Sequence, residues 1–192
     1  MKRSDYRPRA QHDVRVEAAG DKWALVFMRE LRHPPAKVWS VLTAPAQLRE
    51  WAPFDAVRDL GSLDGQSETT LSMAGRAGKA DEAGGAGGMQ LRAEVRRAEA
   101  PRVLEYTWGE DLLSWRLEPI ASGTRLTLRH VVQDRSWISK VCAGWHICID
   151  VAEQFLAGEP IGRIVGEEAR DFGWQELNDT YATQLGVESG HG

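Results

Sequence analysis

The chain has 192 residues, 42% of them hydrophobic, and a formal net charge of -4 at pH 7. This length suffices for one large domain with a sizeable core, and the charge provides no basic surface for nucleic acid or an anionic membrane. The polar start lacks the apolar stretch of a signal peptide, and no segment is long and apolar enough to cross a bilayer. The two cysteines lie on one predicted helix, where they cannot pair. We therefore expect a cytoplasmic protein.

The first part of the chain predicts a disordered tail over residues 1–12 and then a β-hairpin. In residues 14–31 apolar side chains alternate, the segment AAGD supplies a turn, and the alternation resumes at Trp23, Leu25 and Phe27. Alternation on both sides of a turn is the pattern of two antiparallel strands.

Residues 33–53, HPPAKVWSVLTAPAQLREWAP, predict two short helices. Pro35 suits the first turn of a helix, where its missing N–H costs nothing, and apolar side chains at helical spacing follow it. Pro45 breaks this helix because it pushes the residue before it out of the helical region. Each short helix directs one tryptophan inward, Trp39 in the first and Trp51 at the end of the second.

Alternating segments then predict a run of strands, interrupted by a flexible glycine-rich loop over residues 74–88. The predicted strands cover residues 57–61, 67–73, 89–99, 102–108, 112–119 and 123–132. In the strand over residues 112–119, Leu113, Trp115 and Leu117 are predicted to face inward. In the strand over residues 89–99, the inward positions begin with Met89. One buried and one solvated face indicate an antiparallel sheet.

After Ser136 the apolar period becomes helical and predicts a long amphipathic helix centred on Trp145, with Gly144 allowing a ring or backbone to approach closely. A last helix follows, and we expect residues 187–192 to be a disordered tail. The fold class is therefore α+β: a single domain over residues 13–186, in which a curved antiparallel sheet wraps around the long helix and leaves a gap between them.

His130 is the most interesting single residue, because alternation places it on the inward face with Leu126 and Leu128. One interpretation is a core histidine with hydrogen bonds to the backbone or a tyrosine. The other is a group that orients a ligand in a cavity or acts as a general base, which makes His130 the candidate catalytic residue.

The sequence does not predict a metal site or a cofactor. Cys142 and His146 could converge on one helix face, but Cys148 lies about 160° around the helix from His146. His146 and Asp150 are four residues apart at the edge of the apolar stripe, where such pairs usually form a solvated polar rim. No nucleophile elbow Gly-x-Ser-x-Gly occurs in the chain.

Eight tryptophans are the one oddity of composition. Large inward aromatic side chains can all be core, but they also line cavities that hold apolar ligands. The candidate ligand-binding residues are those that face the gap between sheet and helix. They are Phe27, Trp51, Tyr106, Trp108, Trp115, Leu128, His130, Trp145 and Ile149.

Four segments together carry a family resemblance: FMRELRHPPAKVWSVLTAPAQLREWAP, VLEYTWGEDLLSWRLEP, GTRLTLRHVV and GWHICIDVAEQFLAGEP. They resemble the START-like SRPBCC superfamily and, within it, single-domain bacterial members of the family named for the activator of the heat-shock protein 90 ATPase. The resemblance extends from about Gly20 to Leu185. It implies a helix-grip fold, in which the sheet holds the C-terminal helix over a deep hydrophobic cavity.

The resemblance implies less about function, because the superfamily includes lipid and hormone carriers, polyketide cyclases and dehydratases, and a co-chaperone without a shared catalytic motif. The leading hypothesis is a non-catalytic binding protein for a small apolar or amphipathic molecule. The second is an enzyme of the cyclase or dehydratase type, with His130 as base and Tyr106 positioning a substrate oxygen.

The third hypothesis is a chaperone-interacting protein. Chaperone binding is doubtful, because only about twenty residues precede the first confident strand and the co-chaperone's separate chaperone-binding domain has no counterpart there. Exposed strand edges make a homodimer possible.

Overall fold

Eight antiparallel strands form one curved sheet in the order β1-β2-β8-β7-β6-β5-β4-β3. The coordinates are those of a computed structural model that describes residues 2–9, 12–63, 65–74 and 89–188. The strands are β1 (Asp13–Ala19), β2 (Lys22–Leu31), β3 (Phe54–Ala56), β4 (Ser67–Met73), β5 (Gln90–Glu99), β6 (Val103–Trp108), β7 (Asp111–Ile120) and β8 (Gly123–Val132). The register of β7 and β8 places Trp115 opposite Leu128 and Leu113 opposite His130, so their predicted inward faces are confirmed.

The four α-helices are α1 (Pro35–Thr43), α2 (Pro45–Leu48), α3 (Ile138–Leu156) and α4 (Trp174–Leu185). Short 3₁₀ helices cover Arg3–Asp5, Leu60–Ser62, Arg135–Trp137 and Gly166–Phe172. Prolines begin both α1 and α2, and between the helices Ala44 has the extended backbone that a following proline favours. The predicted α+β class and helix-grip arrangement, with a curved sheet against the long helix α3, are confirmed.

Two strand predictions need correction. Residues 57–61 form no strand, because β3 ends at Ala56 and a 3₁₀ turn begins at Leu60, where the Asp59 side chain accepts a hydrogen bond from the backbone N–H of Gly61. Met89 lies just before β5 and is 67% exposed rather than inward.

The predicted disordered tail over residues 1–12 is wrong for the residues that the structure describes there. Tyr6 is buried, and its hydroxyl donates to Oδ2 of Asp150 at 3.1 Å. His12 is also buried. This segment is polar overall and was therefore predicted to be disordered, but its Tyr6 and His12 rings contact side chains of α3.

At the other end, Val187 packs against the core and the hydroxyl of Ser139 donates to the carbonyl oxygen of Glu188. Residues 187 and 188 are thus held in place, whereas 189–192 lie outside the described residues. The predicted glycine-rich loop, apart from Ala74, lies outside them as well.

Helix α3 is buried on nearly every side, because α4 and the N-terminal segment cover the face that does not meet the sheet. Within the described part of the chain, none of the helices combines the length and hydrophobicity that a bilayer crossing requires.

Candidate functional site

A cavity of about 500 Å³ opens beside α3. Its walls are one face of α3, the segment that leads from α3 to α4, and the ends of β4 and β6. This volume lies within the range of about 300–1,000 Å³ that is usual for small-molecule sites. The cavity therefore has room for an organic ligand of moderate size.

The lining is mainly apolar and contains half of the protein's tryptophans. The residues are Pro53, Met73, Trp108, Trp137, Lys140, Val141, Gly144, Trp145, Cys148, Ile164, Val165, Gly166, Glu167, Ala169, Arg170 and Trp174. The charged members come from two elements: Lys140 lies on α3, and Glu167 and Arg170 lie on the 3₁₀ helix Gly166–Phe172. Their charged groups can meet a polar group of a ligand whose body contacts the indole rings.

One stripe of α3 forms the floor of the cavity: Val141, Gly144, Trp145 and Cys148, at the i, i+3, i+4, i+7 spacing of one helix face. The sequence suggested that Gly144 admits a neighbouring ring or backbone at close range, and this is wrong. A Cβ atom built on Gly144 meets no atom within 4 Å. The missing side chain at Gly144 is therefore part of the open space.

Trp145 joins this cavity to the core. Its Nε1 donates to Nδ1 of His130 at 2.9 Å, and Nε2 of His130 lies 3.0 Å from Oδ2 of Asp111. Because Nδ1 accepts, the proton of a neutral imidazole resides on Nε2 and is donated to Asp111. His130 thereby fixes the orientation of an indole ring that is part of the cavity wall.

Of the nine candidate ligand-binding residues, Trp108 and Trp145 line the cavity. The other seven do not line it, and each is at most 2% exposed. They are Phe27, Trp51, Tyr106, Trp115, Leu128, His130 and Ile149. The expectation that these seven face the open space is corrected: they fill the gap between the sheet and α3.

The polar groups of the core aromatic side chains form hydrogen bonds within the protein, so these side chains can be fully buried in the gap between the sheet and α3. Nε1 of Trp51 donates to the carbonyl oxygen of Val41 at 3.0 Å, and Nε1 of Trp115 donates to the hydroxyl of Tyr106 at 3.2 Å. Burial raises the pKa of Tyr106 above its ordinary value, so the phenol is neutral at physiological pH. Trp115 also packs edge-on against Trp145, with ring centroids 5.3 Å apart.

Sequence reasoning missed the outer wall of the cavity. Ile164, Val165 and Ala169 are buried there, in a segment whose irregular backbone gives neither period 2 nor period 3.6. The available signal was Trp137, which had no place in the predicted core, and Trp174, which the pattern placed on the apolar face of the last helix but not beside a cavity.

A cluster of buried polar side chains lies on the opposite side of α3. His146 and Asp150, predicted as a solvated rim, are 0% exposed, and this prediction is wrong because α4 and the N-terminal segment cover them. Together with His12 they form a set in which one ligand-type atom of each residue lies within 4.8 Å of the others. This cluster is separate from the cavity.

Burial alone would raise the pKa of Asp150, but the neighbouring imidazoles of His12 and His146, and then the hydrogen bond from the backbone N–H of Arg9, outweigh burial and hold the pKa below its ordinary value. Burial lowers the pKa of His12, and the nearby carboxylate of Asp150 partly offsets this effect. The cluster therefore contains a carboxylate beside a neutral imidazole at neutral pH.

Comparison with solved structures supports the fold assignment. CalU16 from Micromonospora echinospora aligns with a TM-score of 0.61 at 19% identity, covering 91% of this chain and 98% of that one. The conserved protein of unknown function EF2215 from Enterococcus faecalis gives 0.63 at 14% identity, with 91% and 90% covered. Protein MLL2253 from Mesorhizobium loti gives 0.55 at 23% identity, with 70% and 97% covered.

A search among curated proteins gives no significant match. The family model described as "Activator of Hsp90 ATPase homolog 1-like protein" matches residues 32–157, from the end of β2 to the end of α3. This range contains α3 with the cavity floor and most of the sheet that packs against it. The chain belongs to the activator of Hsp90 ATPase homolog 1-like family.

Proposed function

We propose that this protein binds a small amphipathic molecule in the cavity beside α3, with an apolar and preferably aromatic body between the tryptophans and a polar group at the rim. The observation that carries this proposal is the open space of about 500 Å³ above Gly144, with Trp108, Trp145 and Trp174 around it. Aromatic walls favour planar ligands because offset and edge-to-face ring contacts add to the burial of apolar surface.

The rim favours a ligand with an anionic or hydrogen-bonding head. Lys140 stands at the mouth of the cavity, and its ammonium group lies 4.9 Å from the centroid of the Trp137 ring. Trp137 is 55% exposed. A cation beside an exposed indole ring offers charge and a flat apolar surface to the same ligand.

The enzyme hypothesis has less support. His130 lies outside the cavity lining, and both of its ring nitrogens are engaged, one by Trp145 and one by Asp111. Tyr106 is buried against Trp115. We therefore assign His130 the role of a positioning residue for Trp145. The chaperone complex, the homodimer and the cytoplasmic location stay predictions.

The cavity can be filled at Gly144 without disturbing a contact, which gives a matched experiment. Gly144→Leu puts a branched side chain into the open space, and Gly144→Ala, with a single methyl group, is its control. The probe is 1-anilinonaphthalene-8-sulfonate, an amphipathic aromatic anion, followed by its own fluorescence and by quenching of tryptophan emission.

Wild type and Gly144→Ala should bind the probe saturably, and Gly144→Leu should bind it at least about 10-fold more weakly, equivalent to about 1.4 kcal/mol. Circular dichroism and the melting temperature establish that all three proteins are folded. Equal probe binding by Gly144→Leu and wild type would contradict the assignment of this cavity as the binding site.

A further inference from the structure

Three buried side chains from two separate parts of the chain converge on the side of α3 that faces away from the cavity. His146 and Asp150 come from α3, one helical turn apart, and His12 comes from the residue before β1. Their exposed fractions are 0%, 0% and 7%. Imidazole nitrogen and carboxylate oxygen atoms are typical ligands of Zn²⁺ and of chemically similar dications.

The three candidate ligands are close enough to share one ion, because one ligand-type atom of each lies within 4.8 Å of the others. Nε2 of His12 lies 3.6 Å from Oδ1 of Asp150, and Nε2 of His146 lies 3.4 Å from Oδ2 of the same carboxylate. Zinc ligands at about 2.0–2.2 Å in tetrahedral geometry lie about 3.4 Å from one another. Both distances exceed the usual length of a direct hydrogen bond, and an ion shared by the two imidazoles would contact the carboxylate between them.

Two of the candidate ligand atoms lack a hydrogen-bond partner. Nε2 of His146 and Oδ1 of Asp150 are fully buried and make no hydrogen bond of normal geometry to the described residues. Burying such atoms without partners is costly. A cation between them would satisfy both atoms.

The other ring nitrogen of His146 has the partner that a metal-binding histidine needs. Its Nδ1 lies 2.8 Å from the hydroxyl of Tyr181. When Nδ1–H donates to this hydroxyl, the lone pair of Nε2 points toward Asp150. Metal-binding histidines are usually oriented in this way by an outer hydrogen bond.

Arg29 is the group that opposes a cation here. Its Nη1 lies 2.5 Å from Nδ1 and 3.0 Å from Nε2 of His12, and its Nη2 lies 3.5 Å from Oδ1 of Asp150. The same guanidinium contacts Glu153 at 2.5 Å, and Glu153 also pairs with Arg9 at 2.9 Å. Arg29 can therefore leave His12 and keep its pairing with Glu153 when a dication takes its place at Asp150.

The geometry points to a dication site of the Zn²⁺ class formed by Nε2 of His12, Nε2 of His146 and the carboxylate of Asp150. The ion would join the N-terminal segment to α3 and α4. It would also add positive charge to a cluster whose Arg9, Arg29, Asp150 and Glu153 charges already balance. Displacement of Arg29 toward Glu153, which it already contacts, offsets part of this added charge.

The test uses the full-length chain after treatment with a chelator and desalting. Binding of Zn²⁺ is measured by calorimetry, and the bound metal is measured by elemental analysis. Co²⁺ serves as a second probe, because its visible absorption is intense in tetrahedral sites and weak in octahedral ones.

The expected result is one Zn²⁺ per chain, a rise in melting temperature and a tetrahedral Co²⁺ spectrum. Tyr181→Phe removes only the outer hydrogen-bond partner of His146 and should weaken Zn²⁺ binding by about 10–100-fold. His146→Gln and His12→Gln each remove a ligand and should weaken binding by more than about 100-fold. Arg29→Gln should strengthen binding, because it removes the competing cation while Arg9 still pairs with Glu153. His33→Gln, outside the cluster, is the matched control.

Failure of the folded wild-type protein to take up Zn²⁺ or Co²⁺ would overturn the proposal and leave a water molecule as the occupant of the space. Uptake that both His12→Gln and His146→Gln retain would overturn it equally. If His146→Gln does not fold, His12→Gln, at the edge of the cluster, still decides the outcome. The Zn²⁺ experiment does not depend on binding of the fluorescent probe in the cavity, so either proposal can be contradicted without affecting the other.

Discussion

Two stripes on opposite sides of α3 have opposite character. The cavity stripe is Val141, Gly144, Trp145 and Cys148, and the polar stripe is Ser139, His146, Asp150 and Glu153. At about 100° per residue their centres lie roughly opposite each other. The cavity stripe is apolar and faces open space, whereas the polar stripe is covered by α4 and the N-terminal segment through hydrogen bonds and ion pairs. One helix thus carries an open cavity on the side that packs loosely and a polar anchor on the side that packs tightly.

The two stripes are also connected through the N-terminal segment. Tyr6 and the backbone N–H of Arg9 donate to Asp150. A few residues earlier, Arg3 donates to the carbonyl oxygen of Arg163 at 2.8 Å and pairs with Glu168 at 2.7 Å. These contacts reach the segment that forms the outer wall of the cavity. The polar stripe therefore helps to hold a wall of the cavity that it does not touch.

The largest effect is expected from removing the centre of the polar stripe. Asp150→Ala leaves the hydroxyl of Tyr6 and the backbone N–H of Arg9 without their acceptor, and it leaves Arg29 with Glu153 as its carboxylate partner. Losing these hydrogen bonds to a buried charge together with one charge pair costs about 3–5 kcal/mol. Urea unfolding measures the loss. Glu118→Ala, at an exposed position of β7, is the control and should stay within about 0.5 kcal/mol.

A loss below about 1 kcal/mol for Asp150→Ala would show that the polar stripe is not an anchor, because it would equal the value of one ordinary hydrogen bond. Such a result would remove the distinction between the two sides of α3.

Trp145→Phe tests the polar attachment of the cavity stripe, with a smaller expected effect. Phenylalanine keeps an aromatic ring but removes the N–H, and Nδ1 of buried His130 loses its donor at a cost of about 1–3 kcal/mol. Trp137→Phe, at the exposed rim, is the matched control for stability. Probe affinity should fall in Trp145→Phe, since the ring is no longer held in its orientation. Unchanged stability and affinity would mean that His130 does not position this wall.

Period-2 alternation was sufficient to predict most of the sheet, including the inward position of His130, because half of each strand faces one continuous core. The helical period placed α3 correctly but assumed a single buried face. Since Asp150 and His146 are polar and lie away from Trp145, that assumption assigned them to solvent. Their burial depends on Tyr6 and Tyr181, which come from the two ends of the chain, and no local pattern reveals such a contact.

The cavity was misplaced for a related reason. The sequence predicted aromatic side chains around a gap between sheet and helix, but Trp51 and Trp115 fill that gap with edge-to-face packing, their ring centroids 6.1 Å apart. The open space lies instead where α3 presents Gly144 beneath an irregular segment. Alternation shows which side chains point inward, but it does not show whether their volumes fill the space between the sheet and α3. The pattern therefore identifies the inward face without locating the cavity.

Acidification should weaken the polar stripe and leave the cavity stripe unaffected. The folded-state pKa of His12 lies below its ordinary value of 6.5, mainly because of burial. The unfolded chain therefore binds more protons in this window, and the stability from neutral His12 is complete above pH 6.5 and is lost as pH falls through the folded-state pKa. The lowered pKa of Asp150 adds a further loss only below about pH 3.9, the unfolded value for aspartate.

Unfolding free energies of wild type and His12→Gln, measured between neutral pH and pH 5, check this assignment. The slope should be smaller in His12→Gln and should persist in Trp137→Phe, which lies outside the cluster and changes no titratable group. Identical slopes in wild type and His12→Gln would place the acid sensitivity elsewhere.

The smallest effect, and the one of opposite sign, is expected at the open end of the cavity stripe. Gly144→Ala places a methyl group where no atom lies within 4 Å, so it meets no steric cost. Alanine is favoured over glycine inside a helix by about 0.8–1.0 kcal/mol, and the unfolding free energy should rise by up to about that amount. Ala143, the adjacent fully buried position, gives the contrast: Ala143→Gly should lower the unfolding free energy, because it adds a small void to the loss of helix propensity. If Gly144→Ala were destabilising instead, the methyl group would have met packed atoms, and the side of α3 that faces the cavity would be as closely filled as the side that holds Asp150.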